Sequence, residues 1–528
     1  MSADKPPYEL LLTASIILTF ILYWNRQSIP SVRALKGKTL GILRQWVPWV
    51  RAKVDKEKND ISESFFKSIV RDVAPSVKDL PKKGLSSEEV LAEISKRSEK
   101  ERPDWTSGSL SGAVYNGSEE LDEIFSKTMG SFSRANLLHS ENFPAARQME
   151  AEVVSMTIGL FNGDKIAAVG SVTTGGTESL LLAVKSYRDW GREVKKIHSA
   201  NIVVSETAHA AFWKAGDYFN VEVREARCDR GTGEVDLKHM EYLIDSNTVA
   251  IVGSAPNYPY GTIDNIEQMS NLAIKKDIGL HVDACLGGFL IPFVRDALPY
   301  QFDFKVPGVT SISADTHKYG YAPKGTSILM WKSRELRKFQ FSFKTDWLGG
   351  VYATPTISGS RAAAPVAACW AVMRYFGSDG YERLAKQICL AAREVAAAIK
   401  WDKVPGIKII GRADVSVVAF SVCQKFKKKI DIYDVCDRMK KSQRHWHLNL
   451  LQNPAACHIT VTAANLENVK KFFVTDLVAA CEQILNEGKE VGKSETAAFY
   501  GATASAPLEL LNEIAEIYLH TCYRVGKS

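Results

Sequence analysis

An aspartate closes the apolar run Gly279-Leu-His-Val-Asp283. About one strand-turn-helix unit later, Ser311-Ile-Ser-Ala-Asp-Thr-His317-Lys318-Tyr-Gly320 puts a lysine just beyond a second β-type run. A lysine amine can hold an aldehyde as a Schiff base, and an acidic side chain can keep a pyridine nitrogen protonated, so that the ring drains electrons from a breaking bond. The pair therefore points to bound pyridoxal 5'-phosphate. Buried at a strand end, Asp283 would cost several kcal/mol unless paired, and a pyridinium N–H is a suitable partner. Lys318 must lose its proton to attack an aldehyde, and burial is expected to depress its pKa.

A phosphate on the same cofactor needs its own cradle. Thr173-Thr-Gly-Gly-Thr-Glu-Ser179 follows a strand-like run and opens a helix expected over Glu178–Trp190. Its small residues let backbone amides crowd around an anion at the helix N-terminus. Singly, these features are weak: Thr and Ser also cap ordinary helices, an aspartate often caps a turn, and a lone histidine is usually structural. Their order is more telling. The anion loop comes first, then His209 in Thr207-Ala-His-Ala-Ala211, then Asp283, then Lys318, which is the order expected of a fold-type I pyridoxal enzyme. His209 is expected to stack on the pyridine face.

The elements that must carry these residues read as a mostly parallel α/β layer, with short apolar runs separated by helices between about residues 101 and 376. Candidate strands are Ile166–Val169, Ile202–Val204, Val249–Val252, Leu280–Val282, Ser311–Ser313 and Ser327–Trp331. Residues 377–528, with a helix over Tyr381–Ile399 and β-like runs at Ile407–Ile410 and Val415–Phe420, read as a smaller α+β domain. At 528 residues the chain is long enough for two or more packed units. A net charge of +7 is modest for that size, and neither zinc-finger spacing nor an aromatic-basic motif occurs. Nucleic acid is not an expected partner, and no metal is expected. The nine cysteines include no CxxC pair, which argues against a disulfide framework and for a reducing compartment.

The N-terminus departs from this soluble pattern. Leu10–Trp24 is uncharged and mostly aliphatic, and Arg26, Arg33, Lys36 and Lys38 follow it. With its flank the segment covers roughly 25 Å as a helix, which suits a thin bilayer such as that of the endoplasmic reticulum. Asp4 and Glu9 upstream and bulky residues downstream favour a retained anchor over a cleaved signal. The basic flank places the C-terminal side in the cytosol. Residues 1–25 are thus expected as a membrane anchor and 26–100 as a juxtamembrane stalk and arm, in which prolines such as Pro48 interrupt helical stretches like Ile61–Val73.

Several longer blocks carry a resemblance. They are Asn136-Leu-Leu-His139 with Phe143-Pro and Met149-Glu-Ala-Glu152, Val172-Thr-Thr-Gly-Gly-Thr-Glu-Ser179, His281-Val-Asp-Ala-Cys-Leu-Gly-Gly-Phe-Leu290, Ser313-Ala-Asp-Thr-His-Lys-Tyr-Gly-Tyr-Ala-Pro-Lys-Gly325 and Tyr352-Ala-Thr-Pro-Thr-Ile-Ser-Gly-Ser-Arg361. Together the chain resembles the sphingosine-1-phosphate lyase branch of the group II pyridoxal-dependent decarboxylase superfamily. It departs in having Leu348 before Gly349-Gly350, where that family usually has Gln, and Ala362-Ala363 after Arg361, where Pro-Gly is expected.

The resemblance implies that Lys318 forms the Schiff base, Asp283 pairs with the pyridine nitrogen and His209 stacks on the ring. It implies that Gly175, Gly176, Thr177 and His317 hold the cofactor phosphate, with Gly359 and Ser360 reaching it from a partner subunit of a homodimer. Tyr115, Asn136, His139 and Lys324 are implied to hold the phosphate of the substrate. The implied reaction is retro-aldol cleavage of a phosphorylated sphingoid base to a long-chain aldehyde and phosphoethanolamine. An amino-acid decarboxylase on the same fold and a membrane-tethered, non-catalytic scaffold remain as alternatives.

Overall fold

Seven short runs form one sheet: β1 (Val169–Thr173), β2 (Asn201–Ser205), β3 (Glu222–Ala226), β4 (Thr248–Ser254), β5 (Gly279–Asp283), β6 (Ser311–Ala314) and β7 (Ser327–Trp331). The structure, a computed structural model, describes residues 44–525 apart from 71–75, 401–402, 489–490, 493, 495 and 498–507. The strand order is β1-β7-β6-β5-β4-β2-β3, and only β7 runs against its neighbours. Central strands buried on both faces need apolar, β-branched side chains throughout. Ile202-Val-Val204 and Val249-Ala-Ile-Val252 supply them, and every residue of β2 and β4 is buried.

Helices pack on this sheet through one core, in which Leu180, Leu181 and Val184 of the helix Gly176–Val194 meet Ile202, Val204, Val249 and Trp331. Each such side chain contributes about 1.5–3 kcal/mol when fully buried. The close approach of this helix to β5 depends on Gly279, where an added Cβ would lie 2.2 Å from the Tyr187 ring. In open parallel sheets, ligands bind beyond the carboxyl ends of the strands. Here the ends of β1, β2, β5 and β6 open to one side and carry Thr173, Ser205, Asp283 and Ala314.

The expected strand Ile166–Val169 is misplaced. Residues Asp164–Ile166 form a 3-10 turn, Ala167 takes a left-handed φ of 53°, and ladder pairing begins only at Val169, opposite Trp331. Two further strands, β8 (Ser342–Lys344) and β9 (Tyr352–Thr354), form a hairpin whose residues Trp347, Leu348 and Val351 are exposed. The helix Ala364–Lys400, kinked at Gly377, leads to an antiparallel sheet of β10 (Ile407–Ile410), β11 (Val417–Val422), β12 (Asn449–Leu451) and β13 (Ala456–Thr460). The expected run Val415–Phe420 is therefore shifted two residues along, because pairing starts with Val417 opposite Thr460.

Both sheets belong to one compact unit, residues 102–494; residues 1–101 with 495–528 form another. In the latter, Arg44 and Lys58 pair with Glu513 at 2.6 and 2.9 Å, and Phe65 meets Tyr518 edge-on. Pro48 begins the helix Pro48–Ile69, where its missing N–H costs nothing, and separates it from the helical residues 44–46. The apolar segment Leu10–Trp24 lies outside the described residues. No helix among the described residues is long and apolar enough to cross a membrane.

Candidate active site

The loop after β1 folds back on itself through Glu178, whose carboxylate accepts from Thr174 N at 2.6 Å and Thr174 Oγ1 at 2.7 Å. Its second oxygen accepts from Ile357 N at 3.0 Å, so one side chain ties the loop to the segment after β9. Gly176 opens the following helix, and a Cβ there would lie 2.8 Å from both carboxylate oxygens of Asp315 and 3.0 Å from Cys285 Sγ. Only a glycine lets the end of β6 press against that first turn, whose N–H groups have no partner within the helix.

Asp315 is the centre of the arrangement. Its Oδ2 lies 2.9 Å from Lys318 Nζ and 3.5 Å from His317 Nε2, while its Oδ1 and His317 Nδ1 are buried with no hydrogen-bond partner. Burial opposes the charge on Lys318, but Asp315, with Cys285 and Tyr115, outweighs it and raises the ammonium well above the ordinary lysine range. The structure thus reverses the expected depression of the lysine pKa, because a carboxylate three residues away lies within ion-pair distance. His317 moves the other way: burial, helped by Lys324 and Lys318, lowers it against the pull of Asp315.

Thr174–Glu178, Leu180, His209, Cys285, Asp315, His317 and Lys318 line a cleft of about 360 Å³. The structure thus gathers Gly175, Gly176, Thr177, His209, His317 and Lys318 in one place. His209 is exposed and caps the next helix, its Nδ1 accepting from Ala211 N at 3.1 Å. That bond puts the proton of a neutral ring on Nε2. Asp283 is buried below this lining at the end of β5, where its Oδ1 accepts from Cys285 N at 3.0 Å and Ser313 Oγ at 3.4 Å. The donor set fits pyridoxal phosphate. It combines an amine, a bare helix N-terminus, a glycine-cleared wall and two buried polar atoms in need of partners.

The four residues implied for the substrate phosphate fall into two pairs. Lys324 Nζ sits 5.0 Å from the centroid of the Tyr115 ring and donates to His317 O at 3.1 Å, which places this pair beside the lysine loop. Burial and Lys318 lower the Lys324 pKa, whereas burial pushes the Tyr115 phenol up to about 12. Asn136 and His139 form the other pair, joined by a bond from His139 N to Asn136 O. Asn136 Nδ2 donates to Ser360 Oγ at 3.0 Å and its Oδ1 accepts from Arg361 N at 3.0 Å, so one amide hydrogen remains for a ligand. Gly359 and Ser360 lie on this second side, and His139 is exposed, 3.8 Å from Glu141. No hydrogen bond or ion pair joins the two pairs among the described residues.

Asp315 and Glu178 are the residues that sequence reasoning passed over. Both stood in quoted motifs: Asp315 three places before the lysine, Glu178 four places after Thr174. Carboxylates at those spacings lie within one turn of their partners, and that spacing is the available signal.

Residues 78–423 match the family described as the pyridoxal-dependent decarboxylase conserved domain. The fold and the match define a pyridoxal-phosphate enzyme. A sphingosine-1-phosphate lyase from Drosophila melanogaster is 40% identical over 98% of this chain and 95% of its own length. One from Saccharomyces cerevisiae is 36% identical over 91% of this chain and 81% of its own. The solved structure of a Burkholderia pseudomallei sphingosine-1-phosphate lyase superposes with a TM-score of 0.74 at 37% identity, covering 81% of this chain and 96% of that one. Lactobacillus brevis glutamate decarboxylase, at 21% identity and a TM-score of 0.67 over 78% of this chain and 96% of its own, shares the fold. The chain belongs to the sphingosine-1-phosphate lyase family and is a pyridoxal-phosphate-dependent lyase.

Proposed function

We propose that the enzyme cleaves the Cα–Cβ bond of a phosphorylated sphingoid base, releasing a long-chain aldehyde and phosphoethanolamine. The observation that carries this reading is the cation placed beside the lysine loop: Lys324, against Tyr115 and bonded to His317 O. A phosphate dianion needs such a group near the reacting amine.

When bound, pyridoxal phosphate supplies an aldehyde that captures the substrate amine and a ring that accepts the electrons freed by bond cleavage. Gly175, Gly176 and Thr177 at the helix N-terminus, with His317, would hold its phosphate. Asp283 would pair with its pyridine nitrogen, and His209 would pack against its ring. Lys318 Nζ would bind its aldehyde. With its amine free and neutral, Lys318 would be placed to take the proton of the substrate hydroxyl, to hold it as an ammonium against Asp315 at 2.9 Å, and to deliver that same proton to Cα. Tyr115, Lys324, Asn136 and His139 hold the substrate phosphate.

Gly359 and Ser360 are assigned to a partner subunit's site in a homodimer. The exposed Trp347, Leu348 and Val351 on the hairpin just upstream support a second copy packing there. Membrane attachment through Leu10–Trp24, single-pass in the endoplasmic reticulum with the catalytic body in the cytosol, would bring the site to its lipid substrate. The exposed Trp46 and Trp49, which follow that segment, support a bilayer-facing surface.

The test is product analysis. Phosphorylated sphingoid base should yield aldehyde and phosphoethanolamine in equal amounts, whereas carbon dioxide released from an amino acid, with no aldehyde from the lipid, would establish the decarboxylase alternative.

A further inference from the structure

Behind Asp283 the two central strands carry a polar ladder that the reaction above does not use. Residues two apart on a strand share a face. His281 and Asp283 on β5 therefore stand together, and the parallel register sets them opposite Ser311 and Ser313 on β6. His281 Nδ1 is 2.7 Å from Ser311 Oγ, and its Nε2 is 3.2 Å from Ser313 Oγ. Ser313 Oγ reaches Asp283 Oδ1 at 3.4 Å. At the far end, Tyr187 OH lies 2.6 Å from both Ser311 Oγ and Thr310 Oγ1. All of these side chains except that of Thr310 are buried, and buried polar chains are sensitive to every missing partner.

Counting hydrogens fixes the direction of the chain. A carboxylate only accepts, so Ser313 must spend its one hydrogen on Asp283. Its lone pairs then receive His281 Nε2–H and the thiol of Cys285, whose Sγ is 3.2 Å away. With the proton on Nε2, His281 Nδ1 accepts from Ser311 and Ser311 accepts from Tyr187; the Thr310 hydroxyl, which also has Leu280 O as an acceptor at 3.0 Å, can turn its one hydrogen to the phenol because Leu280 O already accepts from Thr310 N. The opposite polarity would turn the Ser313 hydrogen toward His281 and leave oxygen lone pairs facing the carboxylate. Burial also lowers His281 to about 4, against the pull of Asp283, so the ring is neutral near neutral pH as the chain requires.

We propose that His281, held as its Nε2–H tautomer between Ser311 and Ser313, is a positioning residue that fixes the Asp283 carboxylate and links it to Tyr187 across the sheet. The sequence form of this device is His-x-Asp on one strand against Ser-x-Ser on the next. Gly279, two places before His281, clears the space that the Tyr187 ring occupies. The proposal rests on the assignment of Asp283 to the pyridine nitrogen.

The experiment compares Ser313→Ala, His281→Leu, His281→Gln, Tyr187→Phe and Asp283→Asn as full-length holoenzymes. It measures kcat and KM with a phosphorylated sphingoid base, affinity for pyridoxal phosphate, and the pH dependence of the absorbance of the bound cofactor. Ser313→Ala and His281→Leu should each lower kcat about tenfold with KM nearly unchanged and displace the absorbance transition. Gln keeps an N–H near the Nε2 position and should recover most of both. Tyr187→Phe, two links further away, should give the smallest change. If Gln behaves like Leu, or Ser313→Ala matches the wild type in rate and spectrum, His281 only packs and the proposal is overturned. Asp283→Asn separates the two levels: full activity there would overturn the Asp283 assignment itself, whereas an inactive Asp283→Asn beside unaffected ladder variants would overturn the ladder alone.

Discussion

On the floor of the cleft, Glu178, Asp315 and Lys318 are buried or half-buried, and each is held by bonds to strand ends or helix turns of the same chain. At the rim, His139 is exposed, Asn136 is occupied by Ser360 and Arg361, and the nearby hairpin turns Trp347 and Leu348 to solvent. The difference is one of preorganisation. Strand ends in a packed sheet fix the cofactor groups before any ligand arrives. The rim rests on loops, and the two pairs assigned to the substrate phosphate share no hydrogen bond or ion pair among the described residues. A floor held by bonds within one chain and a rim resting on loops fit an enzyme whose cofactor groups are set in place before its substrate arrives.

Changes to the floor should therefore be the more damaging. Lys318→Ala removes the amine and should lower turnover by about three orders of magnitude or more, while circular dichroism shows the fold unchanged. Asp315→Asn leaves the lysine ammonium beside a neutral amide. It should weaken cofactor binding and kcat by about a hundredfold and cost about 2–4 kcal/mol of stability, read by denaturant unfolding of the cofactor-free protein. At the rim, His139→Ala should raise KM for phosphorylated substrate about tenfold and leave cofactor affinity within about twofold.

The smallest effect concerns acid. Burial lowers His281 and His458 from 6.5 to about 4, opposed only in part by Asp283 and by the Pro259 carbonyl respectively. The unfolded chain then binds more protons than the folded one between those values. Stability should be fully present above about pH 6.5 and lost as pH falls through the window, at most about 1.4 kcal/mol per pH unit for each histidine. His458→Gln should lower the slope of unfolding free energy against pH within that window by up to about 1.4 kcal/mol per pH unit, and an unchanged slope would remove His458 from the account.

Much of the floor was legible in sequence because its chemistry and its secondary structure coincide. An acidic residue ending an apolar run, and Gly-Gly opening a helix, are local signals; Ser327–Trp331 was placed residue for residue. What escaped was set by packing between elements. Asp315 follows β6 and reaches the helix only because Gly176 is bare, and its ion pair with Lys318 raises the lysine pKa. The start of β1 depended on its pairing with Trp331 rather than on its own apolar run. The rim was legible only through resemblance, since nothing in the spacing of Tyr115, Asn136, His139 and Lys324 reveals a shared ligand.

The division between floor and rim is tested most directly by titrating pyridoxal phosphate into Asp315→Asn and His139→Ala and then measuring KM for phosphorylated sphingoid base in each. The account predicts a crossed result, with cofactor affinity lost in the first variant and KM raised in the second. Equal losses of cofactor and substrate binding in His139→Ala would contradict it.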